Sequence, residues 1–154
     1  MKAEPGIIDG LNEILTGELT AINVYYIHYK MQENWGFDKL ASHARSESMG
    51  EMKHADKLIE RILYLDGVPN MARYDEIQVG DSCEEQLQNQ FALEKKHVTS
   101  LQNLIHECIE KKDFGTKELL DEILMDSEES CDWLETQFSR IKDIGIQNYL
   151  AEHM

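Results

Sequence analysis

The sequence predicts an all-α protein, a four-helix bundle with one long crossover and a short fifth helix at its C-terminal end. Four stretches repeat apolar residues at intervals of three and four, the spacing of one helix face. The 154 residues contain only two prolines. The connections between the predicted helices are short, long and short, the order typical of a bundle with one long crossover. A chain of this length can bury one good core, so we expect residues 1–154 to form a single domain.

Each predicted helix has an inner face that is apolar except near its middle. The first inner face runs from Leu11 to Tyr29, and the second helix occupies about residues 38–66. The third and fourth inner faces run over residues 87–108 and 120–141. The side chains that interrupt the apolar faces should therefore point into the bundle. They are Glu18, Glu51, His54, Glu94, Ser127 and Ser130.

Glycine and capping residues separate the predicted helices. Gly36 is expected to end the first helix and Asp38 to cap the second. Residues 67–82 form the long crossover, and Thr116 is expected to cap the fourth helix. A short fifth helix should follow Gly145, which would act as a hinge.

Composition excludes several classes of function. The net charge of −15 argues against nucleic-acid and anionic-membrane partners, because phosphate groups require basic surfaces. No apolar run approaches the length of a membrane span, and the first residues lack a signal-peptide core, so we expect a cytoplasmic protein. The three cysteines lack CxxC spacing, which indicates reduced thiols rather than a disulfide framework or a zinc knuckle.

The polar interruptions predict a metal centre. Burying a carboxylate costs several kcal/mol unless a cation compensates it, and no Lys or Arg shares the inner faces at this level. Glu51 and His54 are three residues apart on one helix, so they can bind the same ion. We expect Glu18 and Glu94 to join them from two other helices. Carboxylate and imidazole ligands suit iron, manganese or zinc.

The fourth helix lacks its share of this centre. Ferritin-like di-iron bundles combine two single Glu residues with two Glu-x-x-His motifs. Here Glu94 stands alone on the third helix, and Ser127 and Ser130 occupy the positions of the second Glu-x-x-His motif. The negative charges of three carboxylates do not balance the four positive charges of two ferrous ions. We therefore expect one ion at Glu18, Glu51 and His54, with a raised pKa at Glu94 if the pocket is dry.

Five runs of the sequence match one family pattern: ELTAIN (18–23), EMKHAD (51–56), IERIL (59–63), DWLET (132–136) and QNYL (147–150). On these runs the chain resembles, along nearly its whole length, the bacterioferritins, the haem-containing branch of the ferritins. The resemblance implies the ferritin-like fold and a shell of 24 subunits that stores ferric mineral. It also implies haem b shared at twofold subunit interfaces, with Met52 as its axial ligand, and ferroxidase ligands at Glu18, Glu51, His54 and Glu94.

Ser127 and Ser130 depart from the family pattern and place iron oxidation in question. One hypothesis is a haem-carrying shell subunit with weak ferroxidase activity, or with activity that depends on a second, ferroxidase-competent subunit. Another is a slow ferroxidase whose mononuclear or asymmetric iron site oxidises Fe(II) and feeds the mineral core. A third is a ferritin-like protein that binds another divalent ion such as zinc. For Met52, the alternative to haem binding is an interface methionine that fills a gap.

Overall fold

The computed structural model of the protein describes residues 2–154 and contains, over that range, five α-helices and no strand. The first four helices have 27 to 31 residues, so they are about 40 to 46 Å long at 1.5 Å per residue. This architecture confirms the predicted all-α bundle with a short fifth helix. The helices are α1 (Ile7–Asn34), α2 (Asp38–Tyr64), α3 (Cys83–Glu110), α4 (Phe114–Ile144) and α5 (Ile146–Glu152).

The helix ends agree with the sequence at the glycines and differ at the caps. Gly36, just after α1, has a φ of 88°, a left-handed conformation that glycine adopts without strain. Asp38 is the first residue of α2 rather than its N-cap, which is Phe37. Thr116 also lies inside its helix, because the N-cap of α4 is Asp113. The Asp113 side chain accepts hydrogen bonds from the Thr116 backbone N–H (3.1 Å) and hydroxyl (2.8 Å).

The bundle consists of two helix pairs joined by the long crossover. α1 packs mainly against α2, and α3 mainly against α4. Residues 65–82 form the crossover. Its backbone is fixed to α1 at three points: Asn70 N–H donates to Asn12 Oδ1 (2.8 Å), Asp75 N–H to Thr20 Oγ1 (2.9 Å) and Gly80 N–H to His28 Nε2 (3.2 Å). Arg61 near the end of α2 donates to Asp113 Oδ1 (3.1 Å), which connects α2 to the start of α4.

A polar layer separates two apolar clusters inside the bundle. The larger cluster contains Leu11 and Leu15 of α1, Leu58 of α2 and Leu101 of α3. The smaller one, near α5, includes Leu40, Cys83, Leu87, Leu134 and Tyr149. The polar side chains of the middle turns lie between the clusters, where they are shielded from water on both sides. Among the described helices, none is long and apolar enough to cross a membrane.

Candidate metal centre

The predicted inward residues lie together in the polar layer. Glu18, Glu51 and Glu94 are at most 3 % exposed, and His54 is 9 % exposed. Ser127 and Ser130 of α4 are also buried. The structure thus confirms that these six side chains face the interior. Their role as metal ligands stays a prediction.

One group of ligand atoms comes from Glu18, Glu51 and His54. One ligand atom from each of them lies within 4.8 Å of the other two. His54 Nδ1 lies 3.4 Å from Glu18 Oε2 and 3.3 Å from Glu51 Oε2, so the imidazole and both carboxylates converge on one point. Two carboxylates and one imidazole in this arrangement can bind a divalent ion, with further positions left for water or substrate.

A second group of ligand atoms comes from Glu47, Glu51 and Glu94, also within 4.8 Å of one another. Glu47 lies one helical turn before Glu51 on the same face of α2, and the sequence indicates no role for it beyond that position. Glu94 is fixed by Tyr25, whose hydroxyl donates to Glu94 Oε1 (2.9 Å). Its other oxygen, Oε2, is buried and has no hydrogen-bond partner among the described residues. Because Glu51 belongs to both groups, the two groups are adjacent.

The prediction that Glu94 stands alone on the third helix is wrong, because His97 enters the centre from the next turn. His97 Nε2 lies 2.6 Å from Glu18 Oε1, and the imidazole is 8 % exposed. Gly17 makes room for this ring, since a Cβ at Gly17 would lie 2.8 Å from His97 Nδ1. The signal was present in the sequence: Glu94 and His97 have the same Glu-x-x-His spacing as Glu51 and His54.

Asp126 is a second residue whose role the sequence does not predict. The helical phase places it off the inner face of α4, and its side chain is 60 % exposed. Its carboxylate nevertheless lies 2.7 Å from His54 Nε2. A carboxylate on the outer nitrogen fixes the orientation of a metal-binding imidazole and raises its basicity. His54 is therefore held with Nδ1 directed towards Glu18 and Glu51.

The charges of the centre depend strongly on one another. Burial raises the pKa of Glu51 well above its ordinary value, and the negative charge of Glu18 raises it further. Burial alone would also raise the pKa of Glu18, but interactions with the Glu51 carboxyl and the His97 and His54 imidazoles outweigh it, so the pKa is lowered. The pKa of Glu94 rises to about 7, mainly through burial, as predicted for a dry pocket. Against burial, the Glu18 carboxylate raises the pKa of His54 to about 9.

These shifts describe a carboxylate cluster that takes up protons when no cation is bound. The raised pKa of Glu51 favours its protonated form, and the lowered pKa of the neighbouring Glu18 favours its ionised form. A divalent ion would replace those protons, because metal binding requires deprotonated ligands.

An open pocket connects the centre to the surface between α2 and α4. It has a volume of about 630 Å³, and its lining includes Glu47, Glu51, His54, Asp126, Ser130 and Trp133. Glu47 is the most exposed of the clustered carboxylates, with 21 % of its side chain accessible. Ions can therefore reach the buried residues from this side.

Met52 lies apart from this centre, on the outside of the isolated chain. It is 49 % exposed, next to the similarly exposed Met49 (48 %), and the same side of α2 carries the exposed Leu63 (56 %). An exposed row of large apolar side chains is typical of an interface with another subunit. This position agrees with the predicted interface and does not test haem binding.

Comparisons with known proteins identify the family. The family model described as Ferritin-like domain matches residues 8–144. Bacterioferritin of Mycolicibacterium paratuberculosis is 43 % identical over 152 residues, covering 99 % of this chain and 96 % of that protein. Bacterioferritin BfrA of Mycobacterium tuberculosis has the same identity and coverage. Bacterial ferritin of Synechocystis is 39 % identical over 155 residues, covering 100 % of this chain and 99 % of its own length. The chain therefore belongs to the ferritin-like domain family and, within it, to the bacterioferritins.

Proposed function

We propose that the protein is an iron-storage cage subunit of the bacterioferritin type that retains part of a di-iron ferroxidase site. The observation that supports it best is the convergence of Glu18, Glu51 and His54 on one point inside the bundle. Iron is the substrate and cargo of this proposal. One ferrous ion would bind at these three residues, in a subunit that stores ferric mineral in the interior of a 24-subunit shell.

The buried carboxylates of the centre are better explained by a bound cation than by a core without one. In the described part of the chain, no Lys or Arg forms an ion pair with Glu18, Glu51 or Glu94. Buried carboxyl oxygens without partners are costly, and an ion would satisfy them. Glu18 Oε2 and Glu94 Oε2 are such atoms among the described residues.

Ferrous oxidation by the purified protein tests this proposal. The initial rate in air would be compared with a protein-free blank and with the double variant Ser127→Glu, Ser130→His. We expect the wild type to be close to the blank and the double variant to gain a fast phase, because it restores the fourth-helix ligands. A fast wild type, abolished by Glu51→Gln, would instead show that the reduced ligand set suffices for rapid catalysis.

Haem b at a twofold interface is the second part of the proposal. Met52 would supply one thioether from each of two subunits, and thioether ligation favours the ferrous state of haem. The fit rests on the exposed Met52 thioether, on a side of α2 that also carries the exposed Met49 and Leu63. Met52→Leu should abolish the haem absorption bands of the reconstituted protein. Met49→Leu is the matched control, since Met49 lies on the same face with nearly equal exposure. Equal haem content in both variants would contradict the assignment.

The alternative function is slow iron oxidation at an asymmetric site. The proximity of Glu47 and His97 favours it, because both add possible ligands that the Glu18, Glu51 and His54 group lacks. A second, ferroxidase-competent subunit could also supply fast oxidation to a mixed shell. Co-expression with such a subunit, followed by mass analysis of the assembled shell, separates a homopolymer from a mixed one. The proposed cytoplasmic location is tested by cell fractionation.

A further inference from the structure

The replacement of ligands on α4 by two serines leaves unsatisfied polar atoms in the centre. Ser127 Oγ is buried and has no hydrogen-bond partner among the described residues, and neither has Glu94 Oε2. Glu94 is 1 % exposed, so water does not compensate this oxygen from the outside. A buried acceptor of this kind needs a partner. On the Glu94 side, the nearby candidates for completing a site are the carboxylates of α2.

Glu47 occupies the region that the short Ser130 side chain leaves free. Ser130 Oγ donates a hydrogen bond to Glu47 Oε2 (3.0 Å), and His43 Nε2 lies 3.3 Å from Glu47 Oε1. His43 is itself stacked on Trp133, with ring centroids 3.4 Å apart and planes at 12°. These contacts hold the Glu47 carboxylate beside Glu51 and Glu94. Ser130 thus removes one possible ligand and positions another.

The charge balance changes once Glu47 is included. Glu18, Glu51 and Glu94 alone carry three negative charges, which do not balance two divalent cations. Glu47 adds the fourth. Glu51 belongs to both groups of ligand atoms, so it can bridge two ions, as carboxylates do in di-metal bundles.

We propose that Glu47, Glu51 and Glu94 bind a second divalent ion, so that α2 and α3 provide the ligands that α4 lacks. The inference rests on the proposed function only for the first ion, at Glu18, Glu51 and His54. The second group of ligand atoms is open to the pocket between α2 and α4 through Glu47, whose side chain is 21 % exposed, compared with 11 % for His54 in the first group. Ligands exclusively from oxygen suit a hard divalent cation.

Anaerobic titration with Co²⁺ tests the second site independently of iron oxidation. Visible absorption and equilibrium dialysis would give the number of ions bound per subunit. We expect two for the wild type and one for Glu47→Gln, which keeps the side-chain shape and removes the charge. Glu129→Gln is the matched control. Glu129 is an exposed acid in the lining of the same pocket and lies outside both groups of ligand atoms, so this variant should bind two ions.

A second variant and a positional measurement protect the test against a folding defect. Ser130→Ala removes the hydrogen bond to Glu47 and should lower the affinity for the second ion by about tenfold or more, while the affinity for the first ion is retained. Anomalous diffraction from Co²⁺-soaked crystals should show an ion contacting Glu47 and Glu94.

The possible outcomes separate this inference from the proposed function. If the wild type binds one Co²⁺ per subunit, and this ion is lost in Glu18→Gln but retained in Glu47→Gln, the second site does not exist and the first is intact. Binding of two Co²⁺ ions per subunit by Glu47→Gln would also overturn the proposed second site. A wild type that binds no Co²⁺ would overturn both the inference and the metal-binding part of the proposed function.

Discussion

Replacing Glu94 by Gln should stabilise the metal-free protein at alkaline pH. Burial raises the pKa of Glu94 from 4.5 to about 7, so the folded state resists ionisation of this carboxyl. The unfolded chain ionises it near its ordinary pKa. A raised pKa in the folded state contributes stability that is fully present below pH 4.5 and is lost as the pH rises through 7. Gln does not ionise, yet its carbonyl can still accept the hydrogen bond from the Tyr25 hydroxyl.

The size of the effect follows from the shift. Each pKa unit corresponds to about 1.4 kcal/mol, so the ionisation of buried Glu94 costs about 3 kcal/mol. The free energy of unfolding of Glu94→Gln should therefore exceed that of the wild type by up to about 3 kcal/mol at pH 8. Below pH 4.5 the charge-dependent difference should vanish.

Urea unfolding of chelator-treated protein at several pH values measures this difference. The protein concentration must be fixed, because subunit assembly contributes to apparent stability. Glu128→Gln is the control: Glu128 is exposed on α4, and its replacement removes the same charge. A difference between Glu94→Gln and wild type that does not vary with pH, or a variant less stable at pH 8, would refute the reasoning. Added Zn²⁺ should reduce the difference, because the wild type offers both groups of ligand atoms, whereas Glu94→Gln retains only the group of Glu18, Glu51 and His54.

Three further substitutions and one titration test the packing and capping of the bundle. Gly17→Ala should displace His97 and lower the free energy of unfolding by about 1–3 kcal/mol. Gly50→Ala should raise it by about 0.5–1 kcal/mol, because no atom lies within 4 Å of the added Cβ. Thermal unfolding of the two variants compares these effects. Burial lowers the pKa of His28 from 6.5 to about 4, so an NMR titration of the imidazole should have its midpoint near pH 4. The contribution of the neutral His28 to stability is therefore present above pH 6.5 and is lost as the pH falls through 4. A titration near pH 6.5 would contradict its burial. Asp113→Ala removes the N-cap side chain of α4 and should lower the free energy of unfolding, measured with urea, by about 1–2 kcal/mol. An unchanged free energy of unfolding would contradict the capping role.

The amino-acid sequence by itself determined which residues face inwards. Helical periodicity depends only on the 100° turn per residue, so Glu18, Glu51, His54 and Glu94 could be placed in the interior without knowledge of the helix packing. The same phase placed Ser127 in the interior, at a position where the sequence predicts no metal ligand on α4. The caps of α2 and α4 were less predictable, since neighbouring polar residues offer alternative cap positions within one or two residues.

Only the tertiary structure decided which side chains meet across the bundle. Asp126 lies off the inner face of its own helix, yet its side chain reaches His54 across the space between α4 and α2. Glu47 contributes to the centre because Ser130 is short enough to leave space and can donate a hydrogen bond. His97 reaches Glu18 because Gly17 leaves room for its ring. These contacts depend on distances between helices, and periodicity within one helix contains no information about those distances.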